Sequence, residues 1–415
     1  MVSVQRPDTR RRPPAWLLLA ALSLVACRAT HADCRGTHWL GVWAASPSDG
    51  RGPTFVDQSL RLVLNPTFGG RRVRVRLSNR YGAQPVRFAS AFIARREADA
   101  ALVLRSARRL RFGRSRSVTV PPGGDVVSDD VAFRFAAFQD LAVTVHVGGE
   151  SGASTHHLLA LETSYATAPG AGDHAKDASG AAFTRQVNTR PYLVGVEVRA
   201  RKAIGGVVAV GDSITDGFGS TYGANRRYPD FLARRLAAAG LPSAVQNAGI
   251  SGNKVLTAGV PAFAGPALLT RLDADVIALA GVRVVILMEG TNDLGSDPPA
   301  SADALIAGMQ EVVARLRAAG LVVLLGTQTP AKGAVTQHGS PEAVAARNAV
   351  NEWIRTGGGA DGVVDFHLAL RDPNDPDRLR AEFDGGDALH PSTAGYEAMA
   401  NAVDLGRLAG SACPP

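Results

Sequence analysis

Hydrophobic and polar positions along this chain follow two different periods. Between residues 38 and 200 the period is two. Arg71-Arg72-Val73-Arg74-Val75-Arg76-Leu77 alternates strictly, with Arg72, Arg74 and Arg76 on one face and Val73, Val75 and Leu77 on the other, which is the pattern of a half-buried strand. Similar runs occupy 86–94, 117–120, 131–135, 141–147 and 192–198. Turn residues separate them at Asn65-Pro66, Asn79-Arg80-Tyr81-Gly82 and Pro121-Pro122-Gly123-Gly124. Short strands at this spacing predict an all-β sandwich of the jelly-roll kind over 38–200.

From 203 to 410 short apolar runs alternate with longer amphipathic ones. Strands are expected at 206–211, 243–247, 283–288, 321–327 and 362–366. Helices are expected at 227–239, 265–280, 301–319, 342–356 and 392–405, the last capped by Ser392 or Thr393. Such alternation predicts a parallel sheet covered on both faces by helices. The first strand, Val207-Val208-Ala209-Val210, runs into Gly211-Asp212-Ser213-Ile214-Thr215. Ser213 thus falls at the carboxyl end of a strand, where open α/β sheets bind their ligands. Asp212-Ser213 alone also reads as an ordinary helix cap, so the serine takes its meaning from residues further along the chain.

Three such stretches stand out. Asn247-Ala248-Gly249-Ile250-Ser251-Gly252-Asn253 comes after the apolar pair Ala244-Val245, Gly290-Thr291-Asn292-Asp293 after Val284–Met288, and Asp387-Ala388-Leu389-His390-Pro391 near the end. A serine hydroxyl is a poor nucleophile until an imidazole takes its proton, and a carboxylate must hold that imidazole in the right tautomer. Asp387 and His390 are three apart in a segment loosened by Gly385-Gly386 and stopped by Pro391, so one turn can bring the carboxylate to Nδ1 and leave Nε2 for Ser213. A tetrahedral intermediate also needs donors aimed at its oxyanion, each worth about 3 to 4 kcal/mol. The backbone N–H groups of Ser213 and Gly252 and the amide of Asn292 are the natural three: Gly lets the main chain approach closely and Asn donates without adding charge. Singly, Gly252 reads as a turn, Asn292-Asp293 as a turn pair and His390 as a surface residue; together and in order they argue for chemistry. Asp212, Asp216 and Asp293 read as loop-fixing partners. The Gly-x-Ser-x-Gly elbow of another hydrolase class does not occur at Ser213, and Gly249-Ile250-Ser251-Gly252 misses it because Asn253 stands where the last Gly belongs.

The four blocks carrying Ser213, Gly252, Asn292 and His390 resemble those of the SGNH, or GDSL, hydrolase superfamily. The resemblance implies a three-layer flavodoxin-like fold for 203–410, with Ser213, Asp387 and His390 catalytic and Ser213, Gly252 and Asn292 forming the oxyanion hole. Arg227-Tyr228-Pro229-Asp230 with Leu232-Ala233-Arg234-Arg235-Leu236 is similar to a branch related to arylesterases and xylan-degrading esterases, in which a β-rich domain precedes the catalytic one. Ala388 departs from the expected Gly. The function implied is an ester hydrolase working through an acyl-enzyme on short-chain or sugar O-acetyl esters, needing no metal or organic cofactor. A lipolytic esterase or lysophospholipase shares the site, as does an acyltransferase acting on a surface glycan. A binding protein with an inactive hydrolase half would have lost one of these positions, and none is lost.

The amino terminus changes the picture of location. Arg10-Arg11-Arg12 precede the apolar run 15–26, which has the length of a signal-peptide core and is too short to span a bilayer. Two exits remain open: cleavage after Thr30-His31-Ala32, making 1–32 a signal peptide, or lipidation at Cys27, which alone would give a membrane association. Either leaves Cys34 and Cys413, which in an oxidising compartment would pair as a disulfide or else remain free thiols. Residues 1–32 hold five Arg against one Asp, half of the formal +8, so the remainder carries only +4. That is not a nucleic-acid binder's balance.

Fifteen arginines between Arg61 and Arg116 make the β-rich half locally basic. A solvated strand face explains them, and a surface for acidic polysaccharide or anionic headgroups is the functional alternative. Trp39 and Trp43 read as packing residues rather than a sugar platform. His156-His157 read as loop residues, and 166–180, rich in Ala, Gly, Asp and Ser, as a mobile loop near the mouth of the site. Oligomeric state is left open.

Overall fold

The computed structural model describes residues 1–3 and 36–409. Cys27, Cys34, Cys413 and nearly all of the expected export segment lie outside the described residues.

Two antiparallel sheets form over 37–201. In one, the order is Thr37–Ala44, Leu193–Arg201, Gly70–Asn79, Gly124–Val127, with Val131–Phe135 also pairing with Gly70–Asn79. The other is built around Asp49–Leu64, Leu141–His157 and Val86–Ala98. They share one core, Val73, Val75, Val196 and Val198 from the first sheet meeting Leu60, Leu62, Phe88 and Val145 from the second, which makes them a sandwich. The alternation at 71–77 is expressed as read: Val73, Val75 and Leu77 are buried, while Arg74 and Arg76 stay half-exposed and both pair with Glu197. Trp43 is buried beneath the Arg190 guanidinium, and Trp39 lies between Arg74 and Arg199.

Two expectations are corrected in this half. His156 and His157 end the strand Leu141–His157, whose pairing with Asp49–Leu64 continues past Val147 through a series of register shifts. Glycines at 148, 149 and 152 hid the continuation, because bulges break the period on which the reading relied. The tract 166–180 is tied down: Gln58 and Arg61 donate to the carbonyls of Thr167 and Asp177, His174 N–H donates to Ser59, and Ser90 donates to Asp173. Arg61 is itself buried, stacked on Phe183 at 3.9 Å, so a charged residue holds the loop that composition alone suggested was loose. Three other arginines, Arg95, Arg108 and Arg134, flank an open groove of about 430 Å³ floored by Phe133 and Phe135.

The remainder is a five-stranded parallel sheet in the order Ser243–Gly249, Gly205–Gly211, Val282–Met288, Val322–Gly326, Gly362–Val364. Its apolar runs are split between two faces. Val207, Ala209, Val284 and Ile286 pack with Tyr228, Leu232, Leu236, Tyr396 and Met399. Val208, Val210, Val285 and Leu287 pack with Leu268, Leu272, Leu305, Met309, Val312 and Ile354. Strands buried on both faces lose the polar alternation of a half-exposed sheet and read as continuous hydrophobic runs. The helices Tyr228–Ala238, Ala302–Ala318, Pro341–Arg355 and Thr393–Ala402 lie where expected within a few residues, Ser392 capping the last through Gly395 N–H. The helix expected at 265–280 is instead Leu268–Leu272 followed by a wider turn, Asp273–Ile277. The strand expected at 362–366 stops at Val364, because Asp365 caps a short helix, Phe366–Leu370. Among the described residues no helix is long and apolar enough to cross a membrane.

The sandwich covers the open edge of the parallel sheet, a position that proteins rarely leave bare. Gly41 N–H donates to Ala280 O at 2.8 Å. Thr67 Oγ1 donates to Val245 O at 2.8 Å and accepts from Val245 N–H at 3.0 Å, satisfying both backbone groups of an edge residue. Thr67→Val keeps the shape and removes both bonds, so it is expected to cost about 1–3 kcal/mol in urea unfolding. An unchanged midpoint would show that the edge is not held there.

Candidate active site

The central strands bring their carboxyl ends to one level: Gly211 is in register with Gly249 on one side and with Met288 on the other. The loops at 212–217, 250–253 and 289–293 therefore emerge side by side, and Ser213, Gly252 and Asn292 stand on these three loops.

Asp212 caps the short helix Ser213–Asp216 by accepting Ile214 N–H at 2.9 Å. The cap and the nucleophile candidate are thus the same structural unit, with Ser213 at the first helical position. Ser213 Oγ lies 2.8 Å from His390 Nε2, and His390 Nδ1 lies 2.7 Å from Asp387 Oδ2. A carboxylate only accepts, so Nδ1 carries the proton and Nε2 is the acceptor for the serine hydroxyl. Burial alone would raise Asp387, but hydrogen bonds from the His390 ring and from the backbone N–H groups of His390 and Leu389 hold it below the usual carboxylate range.

The turn that makes this pair is organised by a residue sequence reasoning missed. Asp384 Oδ1 accepts from Gly386 N–H and Ala388 N–H, and Gly385 N–H donates to His390 O. Asp-Gly-Gly-Asp was readable as turn chemistry, but only Asp387 was singled out. Ala388, where Gly was expected, sits at φ +59°. That is the left-handed region, which costs a residue with a Cβ on the order of 1 kcal/mol, and the Asp387 to His390 geometry is kept regardless.

Gly252 adopts φ +80°, and a Cβ there would stand 2.8 Å from Ala264 Cβ, so the loop needs glycine on both conformational and steric grounds. The Asn292 amide reaches this loop: Nδ2 donates to Asn253 O at 2.9 Å. Asp293 ties the same two loops together, its carboxylate accepting Val255 N–H at 2.8 Å and Leu256 N–H at 3.0 Å. Among the described residues, the backbone N–H groups of Ser213 and Gly252 donate to nothing and Asn292 Nδ2 keeps a second N–H free. Three unused donors on adjoining loops are what an oxyanion requires.

Beneath the loops lies a buried polar layer that the sequence did not announce. The fully buried Arg271 donates to the carbonyls of Gly211 and Ala248 and to Asn253 Oδ1, and faces Glu289 and Asp275 at 3.6 Å each. Burial drives Glu289 well above the ordinary carboxyl range, and the neighbouring Asp212 adds to it. Burial likewise pushes Asp212 up to about 7, with Asp293 and Asp216 contributing. Among the described residues no cluster of three or more His, Cys, Asp or Glu is disposed to hold a metal ion.

His157 enters from the sandwich. Its Nδ1 faces Ser46 O at 2.8 Å, and its Nε2 faces both Leu159 O and Asp216 Oδ1 at 3.0 Å. Every partner is an acceptor, so both ring nitrogens must donate and the ring is an imidazolium. Burial opposes that charge, yet Asp216 and the Ser46 carbonyl outweigh it and raise the imidazole pKa despite the repulsion of Arg190. The other oxygen of Asp216 accepts Ser251 N–H at 3.0 Å and Ser251 Oγ at 2.8 Å, one residue before Gly252. A histidine beside a second histidine gave no signal of this, because its partner is 59 residues away.

With this geometry in view, the comparisons define a class. Residues 209–398 match the model of the GDSL-like Lipase/Acylhydrolase family. That match spans the α/β half of the chain and supports a carboxylic ester hydrolase. Among solved structures the chain is similar to an acetylxylan esterase from Geobacillus stearothermophilus, at 24% identity over 50% of this chain and 94% of that one, with a TM-score of 0.37. It is also similar to a GDSL-like lipase from Bacteroides thetaiotaomicron, at 21% identity over 50% of this chain and 90% of that one, with a TM-score of 0.39. No curated protein matches the chain significantly.

The His157 pair carries a pH prediction. Its folded pKa is raised, so its contribution is complete below the ordinary imidazole range and is lost as pH climbs through the elevated value. Stability is expected to fall as pH rises above the ordinary imidazole range, and His157→Gln to remove that component at a cost of about 3 kcal/mol at pH 6. Equal pH profiles for the two proteins in chemical denaturation would refute the assignment.

Proposed function

We propose that this chain is an exported serine esterase that cleaves short-chain or sugar O-acetyl esters through an acyl-enzyme. The observation that carries the reading is the unbroken relay from Ser213 Oγ through His390 to Asp387, at 2.8 and 2.7 Å. Ser213 Oγ attacks the ester carbonyl while His390 Nε2 takes its proton, and Asp387 steadies the imidazolium that forms. The backbone N–H groups of Ser213 and Gly252 and the free Asn292 N–H receive the oxyanion. His390 then protonates the leaving alkoxide. Water repeats the sequence, and the acid is released.

Short acyl groups are favoured because no long apolar insertion in the catalytic half reads as a lipid-binding lid. One observation favours the lipolytic alternative: Phe218, Tyr222, Val260 and Val335 are exposed apolar side chains on loops beyond strand ends of the parallel sheet, the edge that carries Ser213. Export is supported by the basic residues 10–12 ahead of the apolar run 15–26. The first residue of the processed chain, read by mass spectrometry, separates cleavage after Ala32 from lipidation at Cys27.

The reading is tested with p-nitrophenyl esters from acetate to decanoate and with acetate release from acetylated xylan. Ser213→Ala is expected to abolish turnover. Asp387→Asn should lower kcat by about 10⁴-fold through loss of the tautomer, and Asn292→Ala by about 10²- to 10³-fold. A maximum at acetate supports the short-chain reading, and one at decanoate supports the lipolytic one. Acyl transfer to an added alcohol in preference to water would make the chain a transferase. A folded protein inert on every ester would overturn the esterase reading.

A further inference from the structure

Asn292 can serve an oxyanion only if its amide faces the right way, and a side-chain amide turns about a broad, nearly two-fold torsion. One end of that amide is fixed by Nδ2 donating to Asn253 O. The other end meets a residue that no motif announced: Asn292 Oδ1 lies 3.2 Å from His338 Nε2. An amide oxygen only accepts, so the proton of the His338 ring must be on Nε2. Nδ1 is then bare, and Thr336 Oγ1, at 2.9 Å, supplies the hydrogen it accepts. Both contacts of Asn292 select the same orientation. Reversing the amide would set oxygen against the Asn253 carbonyl and N–H against the His338 donor.

The ring is held for this task. His338 belongs to the turn Gln337–Gly339, and its carbonyl accepts from the buried Arg347 at 3.0 Å. Ser340 caps the next helix, Pro341–Arg355. On the facing side stands Gly295, where a Cβ would lie 2.3 Å from the imidazole. The ring thus occupies space that any side chain at 295 would deny it. Burial, reinforced by Arg347, His390 and Lys254, lowers the imidazole to about 4. At working pH it is neutral, with a single N–H to give.

We propose that His338 is a positioning residue for catalysis, fixing the Asn292 amide so that its free N–H is presented to the reacting carbonyl oxygen. The inference rests on the oxyanion role of Asn292 in the proposed function. No bond to substrate is assigned to His338 itself.

The test is steady-state hydrolysis of p-nitrophenyl acetate by His338→Phe, Gly295→Ala, Asn292→Ala and the two double variants with Asn292→Ala, each checked for folding by circular dichroism. His338→Phe keeps a ring and removes the donor, whereas Gly295→Ala keeps the histidine and displaces it, so the pair survives the failure of either to fold. Each is expected to lower kcat by about 10- to 100-fold with KM changed by less than about twofold. Neither should add a further loss once Asn292 is alanine, because the group being positioned is gone. His338→Gln, a neutral side chain with a donor, should recover part of the loss. If both single variants keep wild-type kcat while Asn292→Ala is impaired, the proposal is wrong and the oxyanion reading stands. Losses that add in full to that of Asn292→Ala would place His338 elsewhere in the mechanism and also overturn it. An unimpaired Asn292→Ala would overturn the oxyanion reading and the proposal together.

Discussion

Asp216 accepts hydrogen bonds from two distant parts of the chain: His157 of the sandwich on one carboxylate oxygen, and the backbone and hydroxyl of Ser251 on the other. The carboxylate lies at the end of the helical turn that begins with Ser213. A single buried anion therefore joins the sandwich, the turn of the nucleophile and the loop of Gly252. Desolvating such an anion costs several kcal/mol and is offset only if every partner is in place. The imidazolium of His157 is the part of that compensation that comes from outside the α/β fold. The β-rich half is thereby coupled to the candidate active site.

Arg271 plays the complementary part below the loops. It faces Glu289 and Asp275 at 3.6 Å each, and Asp275 also receives Arg80 of the sandwich at the shorter distance of 2.6 Å. One guanidinium cannot neutralise this whole set together with Asp212, and burial raises Glu289 and Asp212 instead. The result is a buried layer of carboxyl groups whose charged forms are disfavoured by burial. Preorganised donors are worth most in buried surroundings of this kind, which suits the oxyanion role proposed for the three donors above it.

Much of this was legible in the sequence, for identifiable reasons. The alternation at 71–77 and the apolar runs of the parallel sheet report burial directly, and burial is what the strands express. Ser213, Asp387 and His390 were readable because the chemistry proposed for them needs a serine, an imidazole and a carboxylate in short blocks, and the structure brings them together within hydrogen-bonding distance. What escaped was either irregular or remote. Bulges concealed the second half of Leu141–His157 and with it the setting of His156 and His157. Arg61 is a buried charge whose partners are mostly backbone carbonyls, and Arg271 donates to two more; a carbonyl leaves no mark in sequence. His338 pairs with Asn292 across 46 residues, a contact that only the folded chain creates. The tract 166–180 looked loose because composition reports what a segment lacks, not what its neighbours donate to it.

In the proposed mechanism Ser213 is made nucleophilic by His390 within an assembled relay. Reaction with a fluorophosphonate, read out by intact-mass and peptide analysis, tests it most directly because it needs no knowledge of the substrate. One adduct per chain is expected, on Ser213, forming rapidly in the native protein and far more slowly in His390→Ala. Labelling on another residue, or an unchanged rate in His390→Ala, would contradict it.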